Sequence, residues 1–378
     1  MDNPFYTTGI IPERYFCDRD KETAWLLRTL QNKADVLLTS PRRMGKTQLI
    51  YHLYNQPEIK GSYYTLYVDI FPTSSLHELV LLISKEIYST LIPRGKSALD
   101  RFIAIVRSLS GSFGYDPSTG TPVFNIKLGD LITPELTLDE IFSYLESAGK
   151  PCLFAIDEFQ QIAMYPEKNV EAMLRSHIQK CNNCRFIFSG SNRHVIENMF
   201  NSAAKPFYNS AEQMHLGSIP KEKYTQFAIE CFASDGKVIT PEVAGFVYDL
   251  FEGHTYYVHN ILHNVFAFSD HGSTINDDLI LNVLESSLEE RGQGYSGILN
   301  QLTYQQKEVL IAIAKEGKAS GVTSVKFVRE HSLKSPSSVQ YAIRTLLENQ
   351  ILTYENQGRT KVYSVTDRFF GEWVKRIY

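Results

Sequence analysis

The eight residues Ser40-Pro41-Arg42-Arg43-Met44-Gly45-Lys46-Thr47 decide how the rest of the chain is read. Ahead of them, the apolar run Val36-Leu37-Leu38 has the length of a central strand; behind them, Gln48-Leu49-Ile50-Tyr51-His52-Leu53 continues with helical spacing. A strand, a tight loop turning at Gly45 and a helix N-terminus make a phosphate cradle. Backbone N–H groups converge on the anion while the helix dipole favours negative charge. Lys46 is placed to reach β- and γ-phosphates, and the Thr47 hydroxyl to join a Mg²⁺ shell. The usual pattern opens with glycine, here Ser40, so the expectation requires Ser40 to take the loop conformation without strain. Without a ligand, the stretch would gather cations at the positive end of a helix dipole, which is unfavourable unless an anion joins them.

A chain of 378 residues exceeds what one core usually supports, so two or three domains are expected. Its 43% hydrophobic and 12% aromatic content argues for packed globular units and against a disordered adaptor. Leu79-Val80-Leu81-Leu82-Ile83 is far too short to span a membrane, and Met1-Asp2-Asn3-Pro4 lacks a charged-then-apolar leader, so no membrane association and a cytoplasmic location are expected. Cys17, Cys152, Cys181, Cys184 and Cys231 are odd in number and mostly scattered, which argues against a disulfide framework. Cys181-Asn182-Asn183-Cys184 has metal-ligand spacing but no second pair to complete a zinc site. Residues 301–378 carry a balance of +5 against −9 for residues 1–300, which reads as a basic module attached to an acidic engine.

The second chemical landmark is Cys152-Leu153-Phe154-Ala155-Ile156-Asp157-Glu158, a fully apolar strand ending in two carboxylates. Such a strand suits the middle of a parallel sheet, whose C-terminal edge is where ligands bind. Asp157 would hold Mg²⁺ directly or through water, and Glu158 would polarise the attacking water. Tyr63–Ile70 and Arg185–Ser189 read as further strands, and Ser191 or Asn192 after the latter could touch a γ-phosphate. Arg193 there could neutralise transition-state charge or simply pair with a surface carboxylate. Helical spacing covers Leu76–Leu91 and Leu99–Leu109. Turn chemistry at Asp116–Gly120 between apolar segments indicates a β-hairpin. From Pro220 to about Glu290 strands give way to helices, with Thr240-Pro241-Glu242 a good helix start. From Leu302, three helical patterns (Tyr304–Lys315, Ser324–His331, Ser337–Asn349) precede a hairpin at Ile351–Tyr354 and Lys361–Val365, which is a winged helix.

Together these landmarks resemble the prokaryotic and archaeal ATPases of the AAA+/STAND group, over nearly the whole chain. The resemblance rests on the Pro41–Thr47 loop, the strand ending at Asp157-Glu158, and Phe188-Ser189-Gly190-Ser191. It implies an α/β P-loop parallel sheet of order 5-1-4-3-2, with strands at Ala34–Thr39, Tyr63–Ile70, Cys152–Ile156, Arg185–Ser189 and Ala211–Leu216. It also implies a core over 1–219, a helical lid over 220–298 and a winged helix over 299–378. Phe16, Arg19 and Glu22 look like the group's signature beside the adenine, and Arg193 like the arginine some members carry after the fourth strand. The lid's Gly253-His254-Thr255 has threonine where the group often has proline. The function implied is a slow Mg²⁺-dependent ATPase switch. Ser40 through Gln48 would hold ATP or ADP with Phe16, Arg19 and Ser191; Thr47 and Asp157 would hold the metal; Lys46, Glu158 and Arg193 would serve catalysis. The alternative is a nucleotide-stabilised binding module with negligible turnover. Duplex DNA, through the winged helix, or a protein is the expected partner: Lys334, Arg344, Arg359 and Lys361 could approach phosphates, and Ser338 and Gln340 could touch base edges.

Overall fold

A computed structural model describes residues 2–91, 113–116, 121–124 and 133–378. The chain forms two compact units: one is Thr8–Ile219, and the other joins the segment up to Thr7 with Pro220–Tyr378.

The first unit is built on β1 (Val36–Thr39), β2 (Tyr64–Asp69), β5 (Cys152–Asp157), β6 (Cys184–Gly190) and β7 (Glu212–His215); β3 (Phe113–Asp116) and β4 (Thr121–Phe124) pair apart from them as an antiparallel hairpin. The five-stranded sheet is parallel, in the order β2-β5-β6-β1-β7. Counted within the sheet and read from the other edge, this is the 5-1-4-3-2 order implied by resemblance. Alternating side chains send Leu37, Phe154 and Ile156 into one apolar layer and Val36, Leu38, Leu153 and Ala155 into the other. With both faces covered, β5 is buried throughout, which is why it reads as an unbroken apolar run. Helices Asp20–Gln31 and Lys46–Asn55 flank β1, and Leu76–Leu91 and Pro134–Glu146 pack on the opposite layer. The helix read at Leu99–Leu109 lies outside the described residues, as does the end of the second hairpin strand beyond Phe124.

The second unit begins with four helices, Lys221–Ala233, Pro241–Leu250, Thr255–Phe268 and Asp277–Asn300. Thr240 caps the second of them, accepting from the Val243 N–H ahead of Pro241. The N-terminal segment is part of this unit: Phe5, fully buried, sits among Phe227, Phe232, His259 and Phe266, while Asn3 Nδ2 donates to the His263 carbonyl at 2.9 Å. The winged helix follows, with helices Tyr304–Glu316, Val325–Glu330 and Pro336–Glu348. Its sheet contains β8 (Ala319–Ser320), β9 (Leu352–Gln357) and β10 (Thr360–Val365). A last helix, Arg368–Ile377, was not read from the sequence; Asp367 caps it, and it buries Phe369, Phe370, Trp373 and Val374. No helix among the described residues is long and apolar enough to cross a membrane.

Candidate active site at the ends of three parallel strands

The loops after β1, β5 and β6 emerge at one edge of the sheet, because these strands are neighbours and parallel. After β1, the loop places Arg43 and Gly45 in the left-handed region, at φ 67° and 94°, and Gly45 starts the helix Lys46–Asn55. Ser40 is not among the positive-φ residues, so serine here costs no backbone strain. Its hydroxyl is buried, donates to the Pro41 carbonyl at 2.8 Å and accepts from Lys46 Nζ at 3.2 Å. Burial holds the Lys46 ammonium below its ordinary pKa, with the Glu158 and Asp157 charges opposing that shift. An anionic ligand would act as those carboxylates do, offsetting the cost of burial by its charge.

Asp157 ends β5 with its carboxylate satisfied from several sides. Thr47 Oγ1 donates to Oδ2 at 2.9 Å and Tyr67 OH to the same oxygen at 2.8 Å; Ser189 Oγ and the Glu158 N–H donate to Oδ1. Tyr67 and Ser189 were missed by sequence reasoning; their alignment with Asp157 follows from strand order, which no local pattern carries. Tyr67 is itself pushed far above its ordinary pKa by burial and by the Asp157 charge, so it stays a donor. Glu158 turns the chain at φ 55°, a left-handed conformation unusual for glutamate. Its Oε2 accepts from Gln160 Nε2, from Ser191 Oγ at 2.8 Å and from the Ser191 N–H at 3.3 Å. Arg42 Nε in turn donates to Ser191 Oγ at 3.3 Å, tying the phosphate loop to the loop after β6.

The remaining candidates are spread around this centre. Met44 is buried in the loop. Gln48 clamps the upstream chain, donating to the Gly9 carbonyl at 2.8 Å and accepting from the Ile11 N–H at 3.0 Å. Phe16 stacks on His52 with ring centroids 4.0 Å apart. Arg19, buried at φ 79°, gives its guanidinium to Glu22 at 2.6 Å and to the Gly217 carbonyl at 2.7 Å. Arg193 pairs with Glu197 one turn along its own helix at 2.5 Å, the plainer of the two roles open to it from sequence. The turn Gly253-His254-Thr255 faces the winged helix: His254 Nε2 lies 3.3 Å from the Arg368 guanidinium, and Lys318 pairs with Glu252 at 3.0 Å. Ser338 is corrected as a base-reading candidate: its hydroxyl completes the capping box with Ser335 and donates to the Ser335 carbonyl at 2.9 Å. The exposed face of that helix is instead Ser337, Gln340, Tyr341 and Arg344, and Arg344 pairs with Glu348 at 2.9 Å. Cys152, Cys181, Cys184 and Cys231 are buried thiols outside any disulfide, and no group of three His, Cys, Asp or Glu side chains among the described residues could hold a metal ion unaided.

A family model described as a probable winged helix domain matches residues 293–376. No curated protein matches the sequence. Among solved structures, a Walker-type ATPase of Pyrococcus abyssi matches with a TM-score of 0.67 at 17% identity, over 98% of this chain and 99% of that one. The ORC2 protein of Aeropyrum pernix, solved as ADPNP–ADP complexes, matches at 0.57 and 16% identity, over 99% and 97%. The ORC1 protein of Aeropyrum pernix, solved in complex with DNA, matches at 0.52 and 14% identity, over 96% and 93%. The chain thus shares the fold of these archaeal proteins, a five-stranded parallel sheet with the Gly45-Lys46-Thr47 loop after its β1 strand, followed by a C-terminal winged helix.

Proposed function

We propose that the protein is a Mg²⁺-dependent ATP-binding and hydrolysing switch that couples nucleotide state to its winged helix. The observation that carries this reading is the Thr47–Asp157 hydrogen bond, which joins the phosphate loop to the end of β5 immediately before Glu158. Backbone N–H groups along Ser40–Gln48, Pro41 excepted, hold the phosphates, and Lys46 neutralises the β- and γ-oxygens. Thr47 and Asp157 offer the oxygen-only donor set suited to Mg²⁺, a cation that takes most of its shell from phosphate and water. When bound, Mg²⁺ supplies charge neutralisation between the phosphates. Glu158 accepts a proton from the attacking water, and Ser191 stands between it and Arg42.

Arg19, committed to Glu22 and Gly217, positions the base-flanking segment, with Phe16 and Gln48 beside it. The winged helix takes duplex DNA through Gln340, Tyr341 and Arg344 on its third helix and Arg359 and Lys361 on the β9–β10 hairpin. The location is cytoplasmic.

A second reading, a nucleotide-stabilised module with negligible turnover, is favoured by the Arg193–Glu197 pair, which leaves transition-state charge without that arginine. Phosphate release from purified protein, with Lys46→Ala as the control, separates the two. Turnover above the control supports the switch; ATP binding with release no faster than the control supports the module.

A further inference from the structure

Gln160 lies two residues beyond Glu158 in the 3-10 helix Phe159–Met164 and is only 8% exposed. Its Nε2 donates to Glu158 Oε2, the oxygen that also accepts from Ser191. The amide must face the carboxylate this way round, since an ionised carboxylate can only accept. Its Oε1 is buried without a hydrogen-bond partner, so the contact with Glu158 is the polar anchor of this side chain. A place for the amide is reserved by Gly190 at the end of β6. A Cβ there would stand 2.1 Å from Gln160 Oε1 and 2.7 Å from Ile196 Cδ1. A buried amide with one end unsatisfied is a poor choice for packing alone. An N–H of its amide is spent on the carboxylate that the left-handed turn at Glu158 presents to it.

We propose that Gln160 is a positioning residue for Glu158: admitted by Gly190, its amide holds the carboxylate oxygen in the orientation from which it draws a proton from water. This rests on the reading of Glu158 as the base, and the test separates the two.

Steady-state phosphate release and ATP affinity are measured for Gln160→Ala, Gln160→Met, Glu158→Gln and the double variant Gln160→Ala/Glu158→Gln. Gln160→Ala should lower kcat by about tenfold or more with ATP affinity unchanged, because the contact acts on the base and not on bound phosphate. Gln160→Met keeps about the same length and volume without an N–H donor and should behave alike, which covers the case in which the alanine variant fails to fold. The double variant should turn over no more slowly than Glu158→Gln, since a residue acting only through Glu158 has nothing left to act on. Multiplying losses in the double variant, or parental kcat in Gln160→Met beside an impaired Glu158→Gln, would overturn the role of Gln160 and leave Glu158 as the base. Parental turnover in Glu158→Gln would overturn the reading of the base, and this inference with it.

Discussion

Ser40 shows how a departure from a sequence pattern can leave the physics intact. The left-handed positions of the loop fall on Arg43 and Gly45, and the serine hydroxyl becomes an extra contact for Lys46. Lys46 and Glu158 should therefore fail at different steps. Lys46→Ala should abolish nucleotide binding in a fluorescent-nucleotide titration, whereas Glu158→Gln should bind normally and lose about 10²- to 10⁴-fold in phosphate release. Arg193 and Glu197, 45% and 31% exposed at the side chain, make an ordinary helix-surface pair. Arg193→Ala should change unfolding free energy by no more than about 0.5 kcal/mol, and a parental rate of phosphate release would confirm its plain role. Lys46, Thr47, Asp157 and Glu158 were legible because phosphate chemistry demands fixed residue types at fixed spacing from a strand. Gln160, Tyr67 and Ser189 were not, since their meaning arises only when separate strands align and a side chain turns back on its neighbour.

At the level of elements, the core strands announced themselves through apolar runs, and the winged-helix helices through caps at Thr303, Ser324 and Ser335. The helix Arg368–Ile377 carried the same kind of signal, an Asp367 cap before Phe369, Phe370, Trp373 and Val374, at the spacing of one buried face. The Phe5 contact carried none, because its partners lie far along the chain. Phe5→Ala would open a cavity among the aromatic rings of the second unit and should cost about 3–5 kcal/mol, read as a lowered denaturation midpoint. His259, fully buried against Tyr224, and His254, beside Arg368, are both held down to about 4 from an ordinary 6.5, chiefly by burial. Between those pH values the unfolded chain binds protons that the folded chain refuses, so stability falls as pH falls through the window. The loss for His259 alone should reach roughly 3 kcal/mol in full. Melting curves from pH 7 to 4 should show it, and His259→Gln should flatten the dependence.

Over the whole molecule, charge is divided as the sequence indicated, with the basic excess in residues 301–378. If Arg344, Arg359, Lys361 and Lys334 each neutralise one phosphate, duplex affinity should fall with a log–log salt slope near −3.6. Replacing Arg359 and Lys361 by alanine should flatten that slope by about two units, as measured by fluorescence anisotropy on the full chain. An unchanged slope would remove the β9–β10 hairpin from the interface. Chain order also leaves a mark on how the protein is made. Phe5 leaves the ribosome about 220 residues ahead of Phe227 and further still ahead of Phe266, the rings it is to pack against. At ~5–20 residues per second that interval lasts roughly 10–45 s. The intervening unit can complete its sheet in that time while Phe5 still has no pocket. A stall in synthesis before the helices beyond Pro220 emerge would leave a folded parallel sheet trailing an apolar hook, a species for chaperones to shield.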